Sequence, residues 1–228
     1  MPKHFKHGKR VNVNHLADPT ESIMAPDGAT VFVIDDDPAM LDSLRWLLDS
    51  VDLSAQCFAS ADEFLERYDP DSPGCLLLDI RMPEKSGLEL QQELTRREIT
   101  IPIIFLTAHG DVPVAVQAMT DGAFRFIEKP FSKQLLLEGV HEALKRDAQL
   151  RLKATERADI AARLAALSSR QTEVMELIVA GLLHKQIATR LGISERTVES
   201  HRRQLMEKLG IDSVVDLVKL ALLAQADG

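Results

Sequence analysis

The chain has 228 residues, 45% of them hydrophobic and 27% charged, with a formal net charge of −8. That size and balance allow one large core or two modest ones, and exclude a wholly disordered or fibrous chain. No run approaches the roughly 18 uninterrupted apolar residues of a membrane span, so no membrane partner is expected. Two cysteines, Cys57 and Cys75, sit in strand-like surroundings and point to a reducing, cytoplasmic setting rather than a disulfide framework.

Residues 1–27 show no apolar periodicity and predict a disordered tail, with His4, His7 and His15 among polar neighbours and Met24 as an alternative start. From 28 to 147, short apolar runs alternate with amphipathic stretches. The runs are 31–34, 53–58, 75–78, 101–106 and 124–127, mostly β-branched or aromatic-rich, as strands covered on both faces must be. Between them, Asp37-Pro38 offers an N-cap and a first-turn proline, while Ser60-x-x-Glu63 and Ser86-x-x-Glu89 read as capping boxes. A fourth helix is expected from Asp111 to Met119. Five strands alternating with helices predict an α/β fold, a five-stranded doubly wound parallel sheet with ligands at the C-terminal strand ends.

The helical pattern after Ser132 runs through Leu144 and then turns polar, predicting a stiff helical linker over 148–164 with no Gly or Pro to break it. Ser168-x-x-Gln171 caps a second module over 165–228, small and all-α, with helices near 170–180, 184–191, 195–209 and 212–224. Charge divides along the same lines. Residues 1–26 carry +2, residues 27–163 carry −10 and residues 164–228 carry zero. A nucleic-acid partner therefore belongs to the C-terminal module.

The chemistry-bearing residues fall at the ends of the apolar runs: Asp35, Asp36 and Asp37 after the first, Asp79 after the third, Thr107 after the fourth, Lys129-Pro130 after the fifth. A parallel sheet gathers these ends on one edge. Clustered carboxylates call for a hard cation such as Mg²⁺, and a carboxylate beside Mg²⁺ and a lysine can accept a phosphoryl group. Each residue alone has an ordinary explanation: a solvated turn, an N-cap at Asp37, a surface lysine, a strand-end hydroxyl. Their joint arrival at matching strand ends outweighs those explanations. A phosphohydrolase of the haloacid-dehalogenase type would use Asp35 and Asp37 instead, but leaves Asp79 and the C-terminal module without a role.

These segments, Val-Ile-Asp35-Asp36-Asp, Leu-Leu-Asp79-Ile-Arg-Met-Pro83, Leu-Thr107-Ala and Glu-Lys129-Pro130, resemble the bacterial response-regulator receiver domain, and the stretches at 107–113 and 126–131 its FixJ-like branch. The resemblance implies a receiver over 28–147 whose Asp79 is phosphorylated by a sensor histidine kinase. It further implies that Asp35, Asp36, Asp79 and the backbone carbonyl of Arg81 serve Mg²⁺. Lys129 would contact the acyl phosphate, with a cis bond to Pro130, and Thr107 and Phe126 would switch together. A homodimer on phosphorylation is expected, because two half-sites would remedy weak binding by one neutral DNA-binding module; RNA polymerase is a further expected partner, and family analogy adds activation of transcription.

Residues 167–224 resemble the LuxR-type helix-turn-helix through 167–174, 180–182, 185–188, 191–194, Thr197-Val-Glu-Ser-His201 and Lys208-Leu-Gly. Gly192 permits the sharp turn and Ser194 can cap the second helix, whose Val198, Leu205 and Leu209 share one face. The opposite stripe, Arg196, Glu199 and Arg203 with neighbouring Ser200, would enter the major groove of double-stranded DNA. Glu199 is repelled by phosphates yet can accept from cytosine N4. Lys185, His201 and Arg202 are better placed as phosphate contacts.

Overall fold

The computed structural model describes residues 28–108 and 112–225. The expected tail over 1–27, the question of Met24 and the helix start at Asp111 lie outside the described residues. The chain divides into two compact units, Met1–Lys145 and Arg146–Gly228, each described by itself.

The first unit alternates strand and helix: β1 Thr30–Ile34, α1 Pro38–Asp49, β2 Ser54–Phe58, α2 Ala61–Arg67, β3 Gly74–Asp79, α3 Gly87–Arg96, β4 Ile103–Thr107, α4 Val112–Thr120 and β5 Arg125–Glu128. It ends in the first part of α5, Lys133–Ala165. Every strand pairing is parallel, in the order β2-β1-β3-β4-β5, which is the doubly wound sheet the sequence predicts. Side chains alternate across each strand. Val31, Val33, Leu77 and Leu106 pack with Leu44, Leu48, Leu136 and Val140 from α1 and α5. Phe32, Ile34, Leu78 and Phe105 join the opposite layer with Phe64, Leu90, Leu94 and Ala118 from α2, α3 and α4. Water reaches neither face of the three inner strands, which is why β1, β3 and β4 read as apolar runs, whereas Ser54 and Gln56 of β2 and Glu128 of β5 are exposed at the sheet's edges. β4 starts two residues later than its run, because Pro102 has no N–H and serves only as acceptor for the Leu76 N–H, at 2.9 Å.

Local chemistry starts the helices where expected. Asp37 accepts from the Ala39 N–H at 2.9 Å with Pro38 in the first turn, and Ser86 and Glu89 close a full capping box on α3. Ser60 caps α2 through the Glu63 N–H, but the Glu63 carboxylate reaches past it to the Ala59 N–H at 2.9 Å. Gly87 matters most to the site. A Cβ there would stand 2.4 Å from the Asp79 carbonyl, so only glycine lets α3 begin so close to the end of β3.

In the second unit the remainder of α5 runs without a break to Ala165, followed by α6 Ser169–Val179, α7 His184–Leu191, α8 Glu195–Leu209 and α9 Val214–Gln225. Val174, Ile187, Val198, Leu205, Leu209 and Leu217 form its core. Gly192, at φ +66°, ends α7, and Ser194 caps α8 by accepting from the Thr197 N–H at 3.1 Å. This is the small all-α module with a tight helix-turn-helix.

Candidate phosphoryl-acceptor pocket and nucleic-acid interface

Parallel register brings the expected side chains to one edge of the sheet. Asp79 lies opposite Leu106 and Thr107 opposite Glu128, so β3, β4 and β5 finish level. Asp35 and Asp79, 2% and 7% exposed, have lost most of their water and need internal partners. The Lys129 Nζ supplies them, donating to Asp35 Oδ2 at 2.8 Å and Asp79 Oδ1 at 2.7 Å. Backbone groups serve the other oxygens. The Asp37 N–H donates to Asp35 Oδ1 at 3.0 Å and the Arg81 N–H to Asp79 Oδ2 at 2.7 Å. Lys129 is itself held against the end of β4, its N–H donating to the Thr107 carbonyl at 2.6 Å, and its bond to Pro130 is cis. Burial works against the lysine's charge, but the hydrogen bonds to Asp35 and Asp79 prevail and hold its pKa above 10.5.

Two buried carboxylates thus face one ammonium, and the neighbouring Asp36 is exposed. Among the described residues no three acid, histidine or cysteine side chains converge tightly enough to cage an ion unaided. Mg²⁺ needs no such cage, since it takes one or two carboxylates and keeps several waters. The surplus negative charge and the all-oxygen donor set fit it. Thr107 is buried beside the pocket, and Phe126 is half-buried against the layer that contains Val114 of α4.

On α8, Val198, Leu205 and Leu209 are buried while Arg196, Glu199 and Arg203 are exposed. A groove follows the exposed side, lined by Arg196, Glu199, Ser200, Arg202 and Arg203. Lys185 is exposed on α7. His201 is half-buried, and its Nδ1 is buried without a hydrogen-bond partner, so only the other ring nitrogen is left to reach a phosphate. Sequence spacing missed what fastens α8. Lys208 Nζ donates to the Ala166 carbonyl and to Gln171 Oε1, both at 3.0 Å, and Arg163 donates to the Leu209 carbonyl at 3.1 Å. Those pairs lie 37 to 46 residues apart, where no local pattern shows them.

Residues 31–141 match the family model of the response regulator receiver domain, and residues 165–221 that of the bacterial regulatory proteins of the luxR family. The chain belongs to the two-component response regulators with a LuxR-type DNA-binding domain, and it is a transcriptional regulator of that kind. Among its relatives are the transcriptional regulatory protein TdiR of Thauera aromatica, 43% identical over 86% of each chain, and the transcriptional regulatory protein FixJ of Azorhizobium caulinodans, 44% identical over 87% of this chain and 94% of that one. The solved structure of the response regulator StyR superposes with a TM-score of 0.79 at 42% identity, covering 86% of this chain and 98% of its own. Full-length FixJ from B. japonicum gives 0.54 at 40%, over 88% and 98%.

Proposed function

We propose that Asp79 accepts a phosphoryl group from a sensor histidine kinase and that this modification controls promoter binding through a homodimer. The observation that carries the reading is the Lys129 ammonium bridging Asp35 and Asp79 at the buried ends of the strands. An Asp79 carboxylate oxygen attacks phosphorus, the N–P bond to the donor imidazole breaks, and the imidazole leaves with the electron pair. The product is an acyl phosphate. Asp35, Asp36, Asp79 and the Arg81 carbonyl would hold Mg²⁺, which when bound neutralises charge on the transferred phosphoryl oxygens. Lys129 exchanges its Asp79 contact for one to the phosphoryl group. Thr107 turns toward the new oxygens, and Phe126 follows into the space it leaves.

Arg196, Glu199, Ser200 and Arg203 read base edges in the major groove of double-stranded DNA, while Lys185, Arg202 and His201 contact phosphates. RNA polymerase is the downstream partner and the cytoplasm the site of action. No described helix is long and apolar enough to cross a membrane. Incubating the full chain with acetyl phosphate and Mg²⁺, then mapping the modified residue, tests the proposal. The phosphoryl group should sit on Asp79 and be absent from Asp79→Asn; a label on Asp35 would overturn the assignment.

A further inference from the structure

Most buried polar side chains have a visible role: Asp35, Asp79 and Thr107 in the pocket, Asp147 in an ion pair with Arg151, Gln171 in a capping box. Gln91, 3% exposed on α3, has none. Its Nε2 donates to the carbonyls of Ala118 and Asp121, both at 3.1 Å, across the end of α4. To point its amino group at two acceptors, the amide must turn its oxygen away, and Oε1 is buried without a partner. An apolar residue would avoid that unpaired acceptor.

The same end of α4 is fastened twice more. The Ala123 N–H donates to the Ala118 carbonyl at 2.9 Å and the Gly122 N–H to the Met119 carbonyl at 3.2 Å, with Gly122 at φ +92°. This is a Schellman closure. The Gln117 amide also donates to both Asp121 carboxylate oxygens, at 2.8 and 2.9 Å. Ala118 is fully buried, whereas Pro113, Val116 and Met119 are exposed and Val114 is half-buried. The opposite end of α4 begins five residues after Thr107, the strand-end hydroxyl of the pocket.

We infer that Gln91 is a positioning residue that pins the C-terminal turn of α4, making that turn the pivot about which the helix answers the pocket. A displacement at Thr107 enters α4 at its other end, and the pin confines the response to the first turns. The inference rests on the reading of Asp79 as the modified residue.

Hydrogen exchange on the full chain, with and without beryllofluoride and Mg²⁺, tests it. In the wild type the analogue should change exchange of the amides at 114–117 and leave those at 121–123 unchanged. Gln91→Met keeps the length and removes the donor. It should speed exchange at 121–123 about tenfold without the analogue, and spread the analogue's effect through the whole helix. Equal wild-type changes at both ends would overturn the pivot, and unaltered exchange in Gln91→Met would overturn the pin. An analogue with no effect on the wild type would instead overturn the Asp79 reading, and the analogue-free comparison would still decide whether Gln91 is the pin. The wild-type arm stands without the variant if Gln91→Met does not fold.

Discussion

Lys129 separates two buried carboxylates, and substitutions within this trio have different expected signs. Lys129→Ala leaves Asp35 and Asp79 facing each other uncompensated, a loss of about 3–5 kcal/mol. Asp79→Asn leaves one acid against one ammonium, so its melting temperature in EDTA should be no lower than the wild type's. Mg²⁺ should then stabilise the wild type and not the variant. Thermal unfolding with and without Mg²⁺ reads both, and an Asp79→Asn protein melting far below the wild type in EDTA would contradict the charge balance. Lys129 has a raised folded pKa, so its contribution is complete below 10.5 and is lost only as the pH climbs through the folded value. In the DNA-reading unit, Arg203→Ala should cost about 1–3 kcal/mol at one base position, and Glu199→Ala should relax a preference for cytosine. Lys185→Ala should weaken binding to every sequence alike and lower the salt slope by about one unit. Competition on operator variants separates the three, and a uniform loss for Arg203→Ala would assign it to the phosphates.

Helix α8 is secured at both ends, by the Ser194 cap and by the Gly210 turn, at φ +66°, with Arg163 against the Leu209 carbonyl. Ser194→Ala should therefore cost about 1 kcal/mol in thermal unfolding without changing which bases are preferred. On α3, hydrogen bonds from Ser86 to Glu89 hold its carboxyl below the ordinary value of 4.5. A depressed acid stabilises above its unfolded pKa and ceases to do so as the pH falls through the folded one. Fraying of α3 below about pH 4.5 is the expected outcome, and Ser86→Ala should weaken that dependence without abolishing it, because the residue-86 N–H still donates to the Glu89 carboxylate. At this scale the fold was largely legible, for a definite reason. A parallel sheet buried on both faces writes itself as apolar runs, and caps such as Asp37-Pro38 and Ser168-x-x-Gln171 act within three residues. The pocket was legible because its members sit at strand ends, where topology alone assembles them. Gln91 and Lys208 were not, because a glutamine or lysine at a helix position reads as a solvent-facing residue until packing places a distant carbonyl beside it.

Across the whole molecule, the acidic surplus lies in residues 27–163, and residues 164–228 carry no net charge. One neutral reading module should bind DNA weakly, so pairing two modules is the expected route to a stable complex. Sedimentation with beryllofluoride and Mg²⁺, alongside gel shifts, should show dimer and operator complex appearing together in the wild type and neither in Asp79→Asn. A monomer that binds its operator as tightly as the activated protein would remove the case for coupling. The absence of surplus positive charge on the reading module has a further consequence for how the protein searches. Attraction to random DNA comes almost entirely from phosphate neutralisation, and a chromosome offers about a million or more competing sites. A strongly basic reader would be soaked up by that excess before reaching a promoter. A neutral one stays mobile, so even a small activated pool remains free to scan for its own addresses.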